Sequence, residues 1–310
     1  MNENFDDILT AAQEERAGQP EQTRLEPYDK AAYKEKKQSE RKECFRIANE
    51  IAESAASSEA VYSQYLNVQA RFNRYSVTNA LLLAAQCPKA TRLATFEEWQ
   101  KRGAQVEKGS KAIMLLEPGR EFQHEDGSSG VVFNVKKVFD ISQTNAPAPQ
   151  AETTRDALTL LKALIHNPPC TITFDDGLVG GVPALYKAEK KTLYVRHGLG
   201  GDELFRALAR ELAYAHLDEG EGFSRNANTF KAKSIAFLVC VRNRIVPDPV
   251  VVPTSYADRD ARTLKDALQE IRDVANTMHS SMDQVLSKQR SEQAQQQNKP
   301  PRTGEARETR

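Results

Sequence analysis

Apolar residues along this chain switch between two spacings, and that switch restricts the fold class more than any other feature. Cys44, Ile47, Ala48 and Ile51 recur at helical spacing. A second such face follows with Tyr62, Tyr65, Leu66 and Phe72, and "VTNALLLAAQ" supplies a third. After Pro88 the stretch "FEEWQKRGAQVEKGSKAIMLLEP" reads as a short helix, a glycine turn and a strand at residues 112–116 that Pro118 ends. "GVVFNVKKVFDI" is another strand, preceded by a loop or hairpin at "HEDGSSG". "SQTNAPAPQAETT" is Pro/Ala/Thr-rich and poor in apolar residues, which marks a linker. Beyond it come a helix in "TRDALTLLKALIHN" and two β-branched pieces, "CTITF" and "TLYVR", which read as strands of a small antiparallel sheet. Helices are then expected over about residues 202–217 and in "FKAKSIAFLVCVRN", and residues 259–288 read as one long amphipathic helix or a pair. The pattern implies an α+β protein of two domains, residues 41–145 and 156–250, joined by a linker at 146–155. A helical segment at 251–288 follows.

Residues 1–40 and 289–310 carry few apolar side chains. Both are expected to be disordered, with at most a frayed helix in "DKAAYKEKKQSERKE". Lys plus Arg and Asp plus Glu both number 43, so a nucleic-acid partner would have to be held by a local basic surface. Cys44, Cys87, Cys170 and Cys240 are scattered singly, which argues against a disulfide framework or a cysteine zinc cluster and for a reducing compartment. "MNENFDDILTAAQEE" has neither the basic start nor the apolar core of a signal peptide. No apolar run approaches the roughly 20 residues of a membrane span, so the expected location is cytoplasmic, with no membrane partner. The glycine clusters "GLVGG" and "HGLGG" fit neither common phosphate-loop pattern and read as turns.

One local basic surface is available. Residues 71–111 hold Arg71, Arg74, Lys89, Arg92, Lys101, Arg102, Lys108 and Lys111 against Glu97, Glu98 and Glu107, a local excess of five positive charges. Phe72, Tyr75, Phe96 and the single tryptophan, Trp99, are interleaved with the amides Asn73, Asn79 and Gln86. Cations that track phosphates, aromatic faces that take unpaired bases and amides that bond base edges suit single-stranded nucleic acid. Composition alone favours the plainer reading, in which Trp99 and Phe72 are core residues and the lysines form a solvated face.

The order of short motifs adds to this reading. The "YS-x-x-N" helix (Tyr75, Ser76, Asn79), Gln86-x-Pro88, the Thr91/Phe96/Trp99 stretch, the Val106-x-Lys108-Gly109 turn, Lys111 and the closing "VFDISQT" follow one another over roughly residues 41–145. Together they resemble the N-terminal domain of ArdC-type antirestriction proteins, a family carried on plasmids and conjugative elements. The resemblance implies a single-stranded DNA-binding module, with single-stranded DNA as partner and host restriction or transfer proteins as further candidates. The residues taken to contact DNA are Arg71, Asn73, Arg74, Tyr75, Asn79, Lys108 and Lys111, with Trp99 divided between stacking platform and core.

The same resemblance bears on "DELFRALARELAYAHL" and "FSRNANTFKAKSIAFLVCVRN". Full-length ArdC-like proteins carry there a zinc metallopeptidase-like domain with an H-E-x-x-H helix and a carboxylate ligand on the next helix. Laid on this chain, the histidine positions fall at Arg210 and Tyr214, the glutamate at Glu211 and the downstream carboxylate at Lys233. Tetrahedral zinc needs three protein ligands and an open position. Arginine and lysine are cations and tyrosine is neutral at pH 7, so the set cannot hold a dication, and Glu211 has no metal-bound water to activate. His216 lies about 200° around the helix from Tyr214, and His197 on the preceding strand would have to complete an unusual site. No cofactor, no metal and no enzymatic activity are therefore expected. Glu211 is expected to pair with Arg210 and Lys233 in a pseudo-peptidase fold. The alternatives are an active zinc peptidase with unusual ligands, or a protein-interaction inhibitor of a restriction enzyme.

Overall fold

The computed structural model describes residues 29–123, 127–148, 156–257 and 260–297. Helix α1 (Lys30–Ser57) begins inside the stretch expected to be disordered. Asp29 explains the start, because its Oδ1 accepts from the amides of Ala31 (2.8 Å) and Ala32 (3.1 Å) and so satisfies the open end of the first turn. Residues 1–28 and 298–310 lie outside the described residues, as do 149–155 of the expected linker.

Beyond residue 40, α1 contributes Cys44, Ala48 and Ala52 to the core. Helix α2 (Glu59–Arg71) is capped by Ser58 and α3 (Val77–Gln86) by Ser76. Next come β1 (Leu93–Ala94), α4 (Phe96–Lys101), β2 (Ile113–Gln123) and β3 (Ser129–Asp140). The first sheet has the order β1-β3-β2, antiparallel throughout. Pro118 was expected to end β2, yet the strand continues to Gln123 with a register shift between Pro118 and Glu121. An edge strand can carry a proline because its outer face needs no ladder donor, and β2 is an edge.

The second half supplies α5 (Ala157–Leu164), β4 (Thr171–Phe174), β5 (Ala184–Lys187), β6 (Thr192–Val195), α6 (Gly201–His216), α7 (Arg225–Arg242) and α8 (Ala261–Gln297). The expected antiparallel pairing of "CTITF" with "TLYVR" is corrected: β4 runs parallel to β6. The intervening β5 forms the antiparallel hairpin with β6, turning through Lys191 in the left-handed region, and that hairpin brings β6 back alongside β4 in the same direction. Gly201 opens α6 where a Cβ would meet the Ala157 Cβ at 2.8 Å, so the close approach of α5 and α6 requires glycine there.

Buried side chains from Cys44 to Leu286 form one connected core. Helix α2 packs on α7, where the buried Tyr62 hydroxyl and Ser234 Oγ are 2.7 Å apart, and α6 packs on α7. The segment at 259–288 is a single helix, α8, and it continues to Gln297 through part of the tail expected to be disordered. It lies against α5, α7 and α3, with Leu264, Leu268, Ile271, Met278, Met282 and Leu286 buried. Its polar face ties back to the α2–α3 turn: Arg272 Nε donates to Tyr75 O (2.7 Å), and Asn276 Nδ2 to Asn73 O (3.2 Å). No helix among the described residues is long and apolar enough to cross a membrane.

His279 on α8 is 4 % exposed. It borders a small cavity with Gln69, Asn73, Arg272 and Asn276. Burial, reinforced by the nearby Arg242 cation, holds its pKa down to about 3. The unfolded chain takes up this proton near pH 6.5, about the free histidine value, so between there and pH 3 the unfolded state binds more protons and stability falls as pH falls. Between pH 6.5 and 5 the loss is about 2 kcal/mol. Urea unfolding at pH 7 and pH 5 is expected to show this difference in the native sequence and to lose it in His279→Met.

Candidate functional site

The motifs that carry the family resemblance are hydrogen-bond latches of the first sheet. Asn79 and Gln86 lie two turns apart on α3 and face β2. Asn79 Oδ1 accepts from Leu116 N and its Nδ2 donates to Leu116 O, both at 2.8 Å. Gln86 does the same with Met114, at 2.9 Å each way. Two side-chain amides thus replace the missing neighbour strand on part of the edge of β2. Asp140 accepts from Thr91 N (2.7 Å), Arg92 N (2.9 Å) and Ser142 N (3.0 Å), which holds its pKa below the usual carboxylate range despite the opposing effect of burial. Thr95 and Glu98 form a reciprocal cap at the start of α4.

These contacts change what several expected DNA contacts are available to do. Trp99 is 2 % exposed, its Nε1 donates to Phe139 O (3.0 Å), and the Arg102 guanidinium lies over its ring at 5.2 Å. It is a core residue here, packed with Ala94, Ala104 and Ile141, and has no face open to a base. The aromatic exposed in this segment is Phe96, at 44 %. The Asn79 amide is committed to β2, and Asn73 Nδ2 donates to Asn276 Oδ1 (3.4 Å). Arg71 is exposed, but one of its guanidinium nitrogens donates to Pro88 O. The half-buried Tyr75 ring stacks on Phe72 with centroids 5.4 Å apart.

Arg74, Lys108 and Lys111 are exposed. The turn that carries the two lysines is pinned at both ends to the segment after β3: Glu107 N donates to Gln143 O (2.9 Å), and Gln143 Nε2 donates to Lys111 O (2.8 Å). Gly109 between them has φ +88°, a conformation that favours glycine. Lys89, Arg92, Lys101 and Arg102 are exposed as well. The segment therefore presents cations on a fixed backbone, with amides turned inward.

In the second half, Glu211 on α6 is fully buried. Its Oε2 accepts from Tyr186 N on β5 (2.8 Å), while Oε1 accepts from Arg210 Nε (3.2 Å) and from Arg225 Nη2 on α7 (2.7 Å). The expected Glu211–Lys233 pair is corrected: the bridging cation is Arg225, and Lys233 is exposed. Arg225 also lies over the Tyr214 ring at 3.9 Å, and the Tyr214 hydroxyl donates to Thr229 Oγ1 (3.2 Å). The donor set does not suit a divalent cation. Two guanidiniums occupy the glutamate, and one of them, Arg225, also covers the ring face of Tyr214. His197 pairs with Asp176 (2.9 Å) and stacks on Phe174, and His216 is half-buried, its pKa lowered by burial. Among the described residues no group of three or more His, Cys, Asp or Glu side chains is placed to hold a metal ion.

Residues 29–156 match the family described as the N-terminal domain of anti-restriction factor ArdC. That stretch of the chain is similar to an ArdC N-terminal domain. Two crystal structures of the antirestriction ArdC protein from the R388 plasmid, one metal-free and one with Mn(II) bound, are similar to this chain at 17 % identity and a TM-score of 0.49. They cover 68 % and 67 % of this chain and 86 % and 85 % of their own. No curated protein matches. In the second half of the chain the residue that sequence reasoning missed is Arg225. It sits 14 positions after Glu211, at the start of the next helix, and only the packing of α6 on α7 brings the two together.

Removing the carboxylate leaves two guanidiniums and the Tyr186 amide without their buried acceptor. Glu211→Ala is expected to cost about 3 kcal/mol of stability, and Arg225→Met less because Arg225 is partly solvated. Urea denaturation midpoints of the two variants against the parent chain measure both.

Proposed function

We propose that this ArdC-like chain binds single-stranded DNA through the exposed cations of its first half, in an antirestriction or transfer role on a mobile element. What supports the reading is the family match over residues 29–156, combined with a turn that fixes Lys108 and Lys111 in place on a solvent-facing surface. Phosphate contacts of this kind are electrostatic and independent of sequence, and holding the backbone beforehand lowers the ordering cost of binding. Arg71, Arg74, Lys108 and Lys111 take the phosphates, and within residues 71–111 the exposed Phe96 and the half-buried Tyr75 are the aromatic rings offered to bases. Asn73, Asn79 and Trp99 act by holding that surface in shape. The second half is read as a pseudo-peptidase in which the Glu211–Arg225 pair stands where a metal would bridge the two helices.

Anisotropy titrations of the full chain with labelled single- and double-stranded oligonucleotides at several salt concentrations test the first half of this proposal. Single-stranded binding is expected to weaken as salt rises. Replacing Lys108 and Lys111 together by alanine is expected to flatten the log–log salt slope by about 1.4, two phosphates at about 0.7 each. A slope that does not change, or no salt-dependent binding at all, overturns the interface. Elemental analysis tests the second half: the purified protein is expected to carry no stoichiometric zinc, and Glu211→Gln to leave oligonucleotide affinity as it was. A full equivalent of zinc overturns the pseudo-peptidase reading.

A further inference from the structure

A cavity of about 200 Å³ lies between α6, α7 and the segment that follows α7. Its charged lining is Arg206, Arg210 and Lys233 against a single carboxylate, Asp248, and the remaining wall is Ala236, Phe237, Cys240 and Pro249. Arg206 and Arg210 are one helical turn apart on α6, and Lys233 comes from α7. The excess of two positive charges stands over an apolar wall, an uncommon arrangement unless an anion completes it.

The cations are held in position without being saturated. Arg206 Nη1 donates weakly to Val246 O (3.5 Å), and Arg210 Nε is turned back to Glu211 (3.2 Å). Asp248 approaches Arg206 Nε at 3.4 Å and Arg210 Nη1 at 3.9 Å, longer than a charge-assisted hydrogen bond of about 2.7–2.9 Å. Its side chain is 59 % exposed, so it can swing into solvent at little cost, while both arginines are less than a third exposed. Lys233 is exposed and makes no hydrogen bond or ion pair among the described residues. The Cys240 thiol is buried with its pKa pushed up to about 12 by burial, so it stays neutral and belongs to the apolar wall.

From this geometry we infer that the cavity is a binding site for a small organic phosphate, a phosphate monoester carried on an apolar or aromatic body. A dianion matches the formal excess of two positive charges on the lining, which a lone carboxylate would leave half-balanced. Several phosphate oxygens can take donors from both helices at once, as guanidinium forks favour. A dry cavity of about 150 Å³ accommodates a benzene-sized body, so the space suits a single ring beside the phosphate rather than a larger ligand. Asp248 is the internal competitor that the ligand displaces. The inference does not rest on the DNA-binding proposal, since none of the lining residues belongs to residues 29–156.

Isothermal titration of the full chain at low ionic strength with phenyl phosphate, inorganic phosphate and benzyl alcohol tests it. Phenyl phosphate is expected to bind saturably at one site, inorganic phosphate more weakly and benzyl alcohol not at all. Lys233→Met, a change at an exposed position, is expected to weaken phenyl phosphate binding about tenfold. Asp248→Asn is expected to strengthen it several-fold by removing the competing charge. No saturable phenyl phosphate binding, or equal affinity in the parent chain and Lys233→Met at matched thermal stability, overturns the site. Equal affinity for inorganic and phenyl phosphate overturns the apolar subsite.

Discussion

A carboxylate with no solvent exposure has to be answered by donors, and the second half of this protein is arranged around that requirement at Glu211. The answering groups come from three places: the Tyr186 amide on β5, Arg210 beside it on α6, and Arg225 on α7. Tyr186 is held a second time, its hydroxyl donating to Asp218 (2.7 Å), which also pairs with Lys191 (2.7 Å). The sheet is thereby fastened to α6 by backbone and side chain together. Apolar residues in place of such a buried cluster are often as stabilising, so its value lies in fixing one register of strand against helix.

The first half solves a different problem. Its sheet ends in β2, an edge strand with a proline and a bulge, and a bare edge invites pairing with other chains. Asn79 and Gln86 cover part of that edge with amides that imitate a backbone. The covering makes the lysine turn before β2 a fixed platform rather than a loose loop, since Gln143 ties the other end of the turn down.

Most helices were legible because each buries one apolar face, and the spacing of that face survives in the sequence. The sites were less legible, and for physical reasons. An amide in a basic, aromatic segment has the same letter whether it bonds a base or Leu116, so the sequence could not show that the Asn79 amide is bonded to β2. Trp99 could not be placed without knowing that Phe139 O waits for its indole. Arg225 belongs to no motif, because a guanidinium at a helix start signals nothing until the neighbouring helix supplies Glu211. The parallel pairing of β4 with β6 was hidden by the short strand between them, whose hairpin decides the direction.

The ties from α8 to the α2–α3 turn span some two hundred positions, with Asn73 and Asn276 separated by 203. Closing so long a segment is entropically costly only once, yet it cannot begin until both ends exist. On the ribosome the basic segment would emerge with its latches to β2 available and its support from α8 still unmade. Folding of the presented surface is therefore expected to finish late, through non-local contacts of the kind that slow two-state domains. The order of synthesis thus separates making the basic surface from locking it.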